Sequence, residues 1–150
     1  MSDRISRVLK HKGSHVETVP PETTVFAAVE RMNEQRIGAL LVADTYRPGQ
    51  PYRPIGIFTE RDVLMRVIAR GLDPQTTIVG DVMTRDPITV HEDTTVSEAM
   101  TIVTEKRCRH LPVVDDSGLC GLISIGDLTS WVVRDQELTI GDLHGYIQRT

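Results

Sequence analysis

The chain has 150 residues, 39% of them hydrophobic and 25% charged, which suits one compact domain or two small halves sharing a core. A formal net charge of −4 and an aromatic content of 4% argue against a general nucleic-acid binder, which needs a basic surplus and stacking rings. No apolar run of about eighteen residues occurs, so no membrane-spanning helix is expected, and M-S-D-R-I-S-R lacks the apolar stretch of a signal peptide.

The segment Ile5–Lys10 (I-S-R-V-L-K) predicts a leading helical turn outside the repeats described below. The cations around it, Arg4, Arg7, Lys10, His11 and Lys12, read as a solvated helix face. An extended piece ends at Thr18–Val19. Thr23 and Thr24 are N-cap candidates for an amphipathic helix whose Val25, Ala28, Val29 and Met32 keep i, i+3, i+4, i+7 spacing. Ala39–Ala43 and Pro54–Phe58 are strand-like in length. Between them lies T-Y-R-P-G-Q-P-Y-R-P, a Pro/Gly-rich hairpin loop. A second helix is expected from Glu60, with Val63, Leu64, Val67 and Ile68 on one face and Gly71 as its C′ residue. G-L-D-P-Q (Gly71–Gln75) reads as a connection, and D-V-M-T-R-D-P (Asp81–Pro87) as a short helical turn leading onward.

The order then repeats. Thr18 to Asp44 aligns with Thr89 to Asp115 without a gap, 71 residues apart. Thr94 and Thr95 precede a helix carrying Val96, Ala99, Met100 and Val103. Leu111–Val114 and Leu119–Ile123 are strand-like around the turn D-D-S-G, and a further helix begins near Ile125. Beyond Asp44 the offset falls to 65, because the first copy holds six extra residues. Each unit reads β-α-β-β-α and is about sixty residues long, too small to bury a sufficient core alone. Two such units pressed sheet to sheet give an α+β fold. Ile140, Leu143 and Ile147 suggest a closing helix, packed on its own domain or on a partner. The divisions are 1–15 (N-terminal helical segment), 16–72 (first repeat), 77–136 (second repeat) and 137–150 (C-terminal helix). Cys108 and Cys120 form no C-x-x-C and sit near no histidine pair. They read as reduced, half-buried thiols of a cytoplasmic protein, and no metal site is expected.

One motif carries chemistry. G-I-F-T-E-R-D at Gly56–Asp62 recurs as G-L-I-S-I-G-D at Gly121–Asp127. A hydroxyl followed three residues later by an acid, where a strand enters a helix, is a capping box. Thr59 or Ser124 would cap, Asp62 or Asp127 would favour the helix start, and the glycine would permit a tight backbone. The same atoms suit a ligand, because a carboxylate can accept both vicinal hydroxyls of a ribose. Val19, Val25, Ile37 and Leu40, or Val90, Val96 and Leu111, could wall an adenine; each is also an ordinary core residue. A phosphate would avoid the acid and seek Arg61 or the pair Arg109-His110, with Arg36 and Arg107 as further candidates.

The ordered set P-E-T-T-V, E-D-T-T-V, D-V-M-T-R-D-P-I-T-V, R-H-L-P-V-V-D and both G-x-x-[ST]-x-x-D stretches resembles the CBS domain family in its tandem form, the Bateman module. The resemblance covers Val16 to Gln136, and the tail looks like that of small stand-alone bacterial members. It implies pseudo-twofold symmetry, two equivalent clefts between the copies, and a disc-shaped homodimer. It implies adenosine-containing ligands: AMP, ADP, ATP, NAD(H) or S-adenosylmethionine. By position, Thr59 and Asp62 would hold the ribose in one cleft, and Ser124 and Asp127 in the other. Thr18 and Val19, or Thr89 and Val90, would border the adenine through backbone groups. Ile37, Ala39, Leu111 and Pro112 complete that pocket. Arg61, Arg109 and His110 would meet the phosphates at the Asp62 cleft, leaving the Asp127 cleft poorer in charge. The expected function is a non-catalytic regulatory module that reports energy or redox state to an unknown downstream protein. A ligand-free dimerisation scaffold is the alternative. An enzyme is less favoured, since no G-x-S-x-G, P-loop or H-E-x-x-H occurs.

Overall fold

The computed structural model describes residues 3–44 and 54–149, with residues 138–149 described by backbone alone. The first helix, α1 (Ile5–Lys12), runs two residues beyond the predicted turn. Strand β1 (Thr18–Val19) leads to α2 (Val25–Gln35), which starts where Thr24 Oγ1 accepts Ala27 N at 3.2 Å and stops at Arg36, left-handed at φ 55°. The inward face of α2 holds Val25, Ala28 and Met32, whereas Val29 is exposed. Strands β2 (Ala39–Val42), β3 (Gly56–Thr59) and β4 (Thr84–Arg85) complete one sheet in the order β1-β2-β3-β4. The β1–β2 pair is parallel and the other two are antiparallel. Most of the loop predicted between β2 and β3 lies outside the described residues.

The helix after β3 is not the regular one that the spacing predicts. A single turn, α3 (Glu60–Asp62), passes into a π-helical segment, Val63–Ile68. Wider winding separates the expected apolar face. Val67 is buried and Val63 half-buried, but Leu64 and Ile68 are 62% and 59% exposed. Gly71, at φ 66°, holds the left-handed position after this segment. The short α4 (Val79–Val82) then leads into β4.

The second copy repeats the plan with β5 (Val90–His91), α5 (Val96–Lys106), β6 (His110–Asp115) and β7 (Gly118–Ser124). Its sheet runs β5-β6-β7, again parallel and then antiparallel. The expected second helix and closing helix are one continuous element, α6 (Ile125–Arg149). The side chains of Ile140, Leu143 and Ile147 lie outside the described residues. The two sheets meet where Ala39, Leu41 and Ile57 pack with Leu119, Leu122 and Val16. Each copy keeps a further core on its outer face.

The leading helices are exchanged between the copies, which the reading of α1 as an appended segment did not foresee. Ile5, Val8 and Leu9 belong to the second copy's core, beside Val96, Ala99 and Leu128. Ile5 N donates to Thr94 O (2.8 Å) and Val96 N to Asp3 O (2.8 Å). In the first copy α4 makes the matching pair, Val79 N to Thr23 O (2.7 Å) and Val25 N to Thr77 O (2.8 Å). The exchange explains the recurring glycine. A Cβ on Gly121 would come within 2.5 Å of Leu9 Cδ2, and one on Gly56 would strike Met83 Sδ. Leu9 and Met83 are thus counterparts, 74 positions apart, whereas Thr18 and Thr89 are 71 apart. The α1 side therefore carries three more residues before its strand than the α4 side.

Candidate functional site

Both repeated hydroxyl–acid pairs form reciprocal caps. Thr59 Oγ1 accepts Asp62 N at 3.2 Å, and Asp62 Oδ2 accepts Thr59 N at 3.0 Å. Ser124 Oγ accepts Asp127 N at 3.0 Å, and Asp127 Oδ2 accepts Ser124 N at 2.8 Å. The strand-to-helix junction thus fixes each acid with its carboxylate at the end of its sheet.

Beyond the caps the two acids differ. Asp62 is only 6% exposed. Its Oδ1 accepts the Thr84 hydroxyl from β4 at 3.3 Å and lies 3.5 Å from Arg66 Nε. Asp127 is half-buried, and its Oδ2 also accepts Lys12 Nζ at 2.6 Å. The same ammonium donates to Leu122 O at 2.6 Å. Burial pushes the Asp127 carboxyl up, but Lys12 and Ser124 N–H outweigh it and hold the group below its ordinary 3.8. Lys12 lies on the exposed cationic face of α1, as the sequence predicts, but its ammonium is engaged, and the Asp127 site, expected to be the poorer in charge, receives it from outside the aligned repeat. His11, also exposed, packs edge-on against Trp131 with ring centroids 5.8 Å apart.

His110 sits where the copies meet. A Cβ on Gly38 would lie 2.9 Å from Glu60 Oε1 and 3.7 Å from His110 Nε2, so the first copy's Gly38 and Glu60 face the second copy's imidazole. Through β6 His110 is also paired with Ser124. Burial, then the charges of Lys12 and Arg109, lower its pKa below the ordinary 6.5 against the pull of Glu60 and Asp127. At neutral pH it is therefore a neutral hydrogen-bonding group, not a cation for phosphate. Arg61 and Arg109 are exposed. Arg36 and Arg107 are exposed left-handed residues ending α2 and α5, at φ 55° and 52°.

Of the adenine-pocket candidates, Val19, Ala39, Val90, Leu111 and Pro112 are buried, Thr18 and Ile37 half-buried, and Thr89 exposed. Only three of them, Thr18, Val19 and Ile37, line either of two openings. One of about 1150 Å³ is lined by Thr18 and Val19 together with Leu9, Gly13 and Cys120. Another of about 510 Å³ is lined by Ile37, Gly38 and Glu60 with Val29 and Leu64. Neither is lined by Asp62 or Asp127.

Sequence reasoning missed Lys12, Thr84, Arg66 and Glu60. Thr84 stood visible in D-V-M-T-R-D-P, but its contact with Asp62 spans 22 residues and has no periodic signature. Glu92, Asp115 and Cys120 also converge, with one potential ligand atom from each within 4.8 Å of the others. Burial, Asp115 and Glu92 push the Cys120 thiol up to about 11, and it donates to Val113 O at 3.4 Å.

A family model, the CBS domain, matches the chain twice, at residues 10–69 and 79–134. The mitochondrial CBS domain-containing protein CBSX3 of Arabidopsis thaliana is 39% identical over 153 residues, covering 98% of this chain and 73% of the relative. Arabidopsis CBSCBSPB3 is 41% identical over 118 residues, 79% of this chain but 20% of that much longer protein. Among solved structures, a CBS-domain protein of Burkholderia ambifaria MC40-6, described as a candidate signal-transduction protein, matches with a TM-score of 0.79 and 38% identity over 89% of this chain and 96% of its own. A hexameric CBS-CP12 protein from bloom-forming cyanobacteria matches with a TM-score of 0.73 and 29% identity, over 86% of this chain and 67% of its own. Among the described residues no helix is long and apolar enough to cross a membrane.

Proposed function

The chain belongs to the CBS domain family, and from that membership we propose that it is a non-catalytic regulatory module binding an adenosine-containing nucleotide between its two copies. Tandem CBS proteins are generally regulatory and ligand-binding. The observation that carries the nucleotide reading is the placement of two equivalent hydroxyl–carboxylate pairs around a polar seam shared by both copies, with Gly38 and Glu60 on one side and His110 on the other. AMP, ADP, ATP and NAD(H) share the ribose diol that such a carboxylate accepts. On this reading Thr59 with Asp62, and Ser124 with Asp127, hold ribose. Arg61 and Arg109 offer cations to phosphate, and His110 a neutral donor. The module is cytoplasmic and homodimeric, and a downstream protein reads its ligand state.

A ligand can signal only through different affinities for two shapes of the module. The polar seam offers a place where those shapes would differ, because ligand atoms there would touch both copies at once. A ligand-free scaffold is the second reading, and one observation favours it: Asp62 is buried with both carboxylate oxygens already engaged.

Thermal shift against AMP, ATP, NAD⁺, NADH and S-adenosylmethionine separates the two readings. A binder raises the melting temperature of the native protein by mass action. Asp62→Ala and Asp127→Ala should each diminish the shift. If no ligand moves the native protein, the scaffold reading stands; if both variants melt earlier yet keep the full shift, the acids are caps only and do not hold the ribose.

A further inference from the structure

The two acids meet different groups: Arg66 Nε stands 3.5 Å from Asp62 Oδ1 without a hydrogen bond between them among those described. A neutral hydroxyl, Thr84 Oγ1, reaches Asp62 Oδ1 at 3.3 Å. An ammonium, Lys12 Nζ, reaches Asp127 Oδ2 at 2.6 Å. In the first copy β4 pairs along β3 and brings Thr84 with it. In the second copy the last turn of α1 stands beside β7 instead, and Lys12 takes the Leu122 carbonyl as well as the acid.

A vicinal diol donates two hydrogen bonds and needs two carboxylate oxygens. Asp127 Oδ2 already accepts Lys12 Nζ and Ser124 N, and only Oδ1 is without a partner among the described residues. Displacing an ammonium forfeits a charge-assisted bond, about twice as strong as a neutral one. The pair is 34% and 26% exposed, so solvent only partly screens it.

We propose that Lys12 is the specificity-determining residue of the Asp127 cleft: its ammonium occupies the diol-binding carboxylate, and a ribose enters only as Lys12 withdraws. The Asp127 cleft therefore fills only at a higher ligand concentration than it would without the ammonium. The Lys12 side chain is about one-third exposed, so its ammonium has solvent to withdraw into. The inference rests on the nucleotide reading above and assigns to one of its two sites an internal competitor.

Calorimetric titration with AMP and with adenosine tests it, using Asp62→Asn to silence the first cleft and comparing that protein with Asp62→Asn/Lys12→Met. The methionine keeps the apolar stem and removes the charge; Lys12→Gln serves as a second variant if the methionine protein melts early. Loss of the ammonium should tighten AMP and adenosine alike, by about three- to tenfold. Equal affinity with and without Lys12 overturns the proposal. So does weakened AMP with unchanged adenosine, which would make Lys12 a phosphate contact. If the native protein binds AMP but neither silenced protein does, the Asp127 cleft takes no ribose; the gate falls and the reading of Asp62 survives. If AMP binds none of the proteins, both fall.

Discussion

Gly56 and Gly121 occupy equivalent positions in β3 and β7, and both exist to admit a side chain from the exchanged leading helix. Neither has a positive φ. An added methyl on Gly121 would press on Leu9 Cδ2 and Cδ1, the movable end of a side chain. On Gly56 it would meet Met83 Sδ and also Thr84 O at 2.9 Å, a backbone atom held in β4. Gly56→Ala should therefore destabilise by about 2–3 kcal/mol and Gly121→Ala by about 1–2 kcal/mol, within the usual range for overpacking. Urea unfolding of the two variants checks the order, and a neutral Gly56→Ala would sink the steric account. The sequence marked both glycines by their recurrence but suggested a tight backbone as the reason. The true reason is a contact between segments far apart in the chain, and local pattern carries no trace of such contacts. The acids show the same limit. Their capping geometry was legible from three-residue spacing, while Lys12 and Thr84, which decide how free each carboxylate is, come from other elements.

The elements divide similarly. Both hydroxyl caps ahead of the long helices, Thr24 on α2 and Thr95 on α5, stood out in the repeat, as did the short buried strands β2 and β6. The π-helical winding of Val63–Ile68 did not, since its residues fit an ordinary helical stripe equally well. Its consequence is an apolar surface. Leu64, Met65 and Ile68 are 62%, 59% and 59% exposed, and Phe26 of α2 is 46% exposed. In the second copy the aligned positions of the first three are Thr129, Ser130 and Val133, a more polar set. For the homodimer proposed above, these exposed apolar side chains of the first copy's helices are the candidate association surface. Sedimentation velocity should find a dimer for the native protein and a monomer for Leu64→Asp/Met65→Asp, the melting temperature falling only by the lost association because neither side chain is buried within the chain. A native protein that sediments as a monomer would remove this face from the homodimer proposal.

At the scale of the whole molecule, the seam between copies couples their union to pH. His110 is the group to consider first. Its folded pKa lies below the ordinary 6.5 through burial and the neighbouring charges of Lys12 and Arg109. An unfolded chain therefore binds a proton on this residue at higher pH than the folded chain does. Stability must then fall as pH drops from 6.5 towards the folded value, and stay level above it. Asp127 acts in a lower window. Its depressed pKa contributes stability above the ordinary 3.8 that is lost as pH falls through the folded value, when protonation breaks the Lys12 pair. Glu17, held low by hydrogen bonds from His15 and Arg31, adds to the same limb. Melting temperature against pH should accordingly show two descending limbs, one beginning near neutrality and one in the acid range. His110→Asn should flatten the upper limb alone, because the amide has no proton to gain. Lys12→Met should shrink the lower limb, because Asp127 then lacks the partner that depresses it, and should also soften the upper one by removing a charge that opposes protonation of His110. An unchanged upper limb in His110→Asn would show that the imidazole is not the group that titrates there, and the seam would lose its place as the pH-sensitive joint between the two copies.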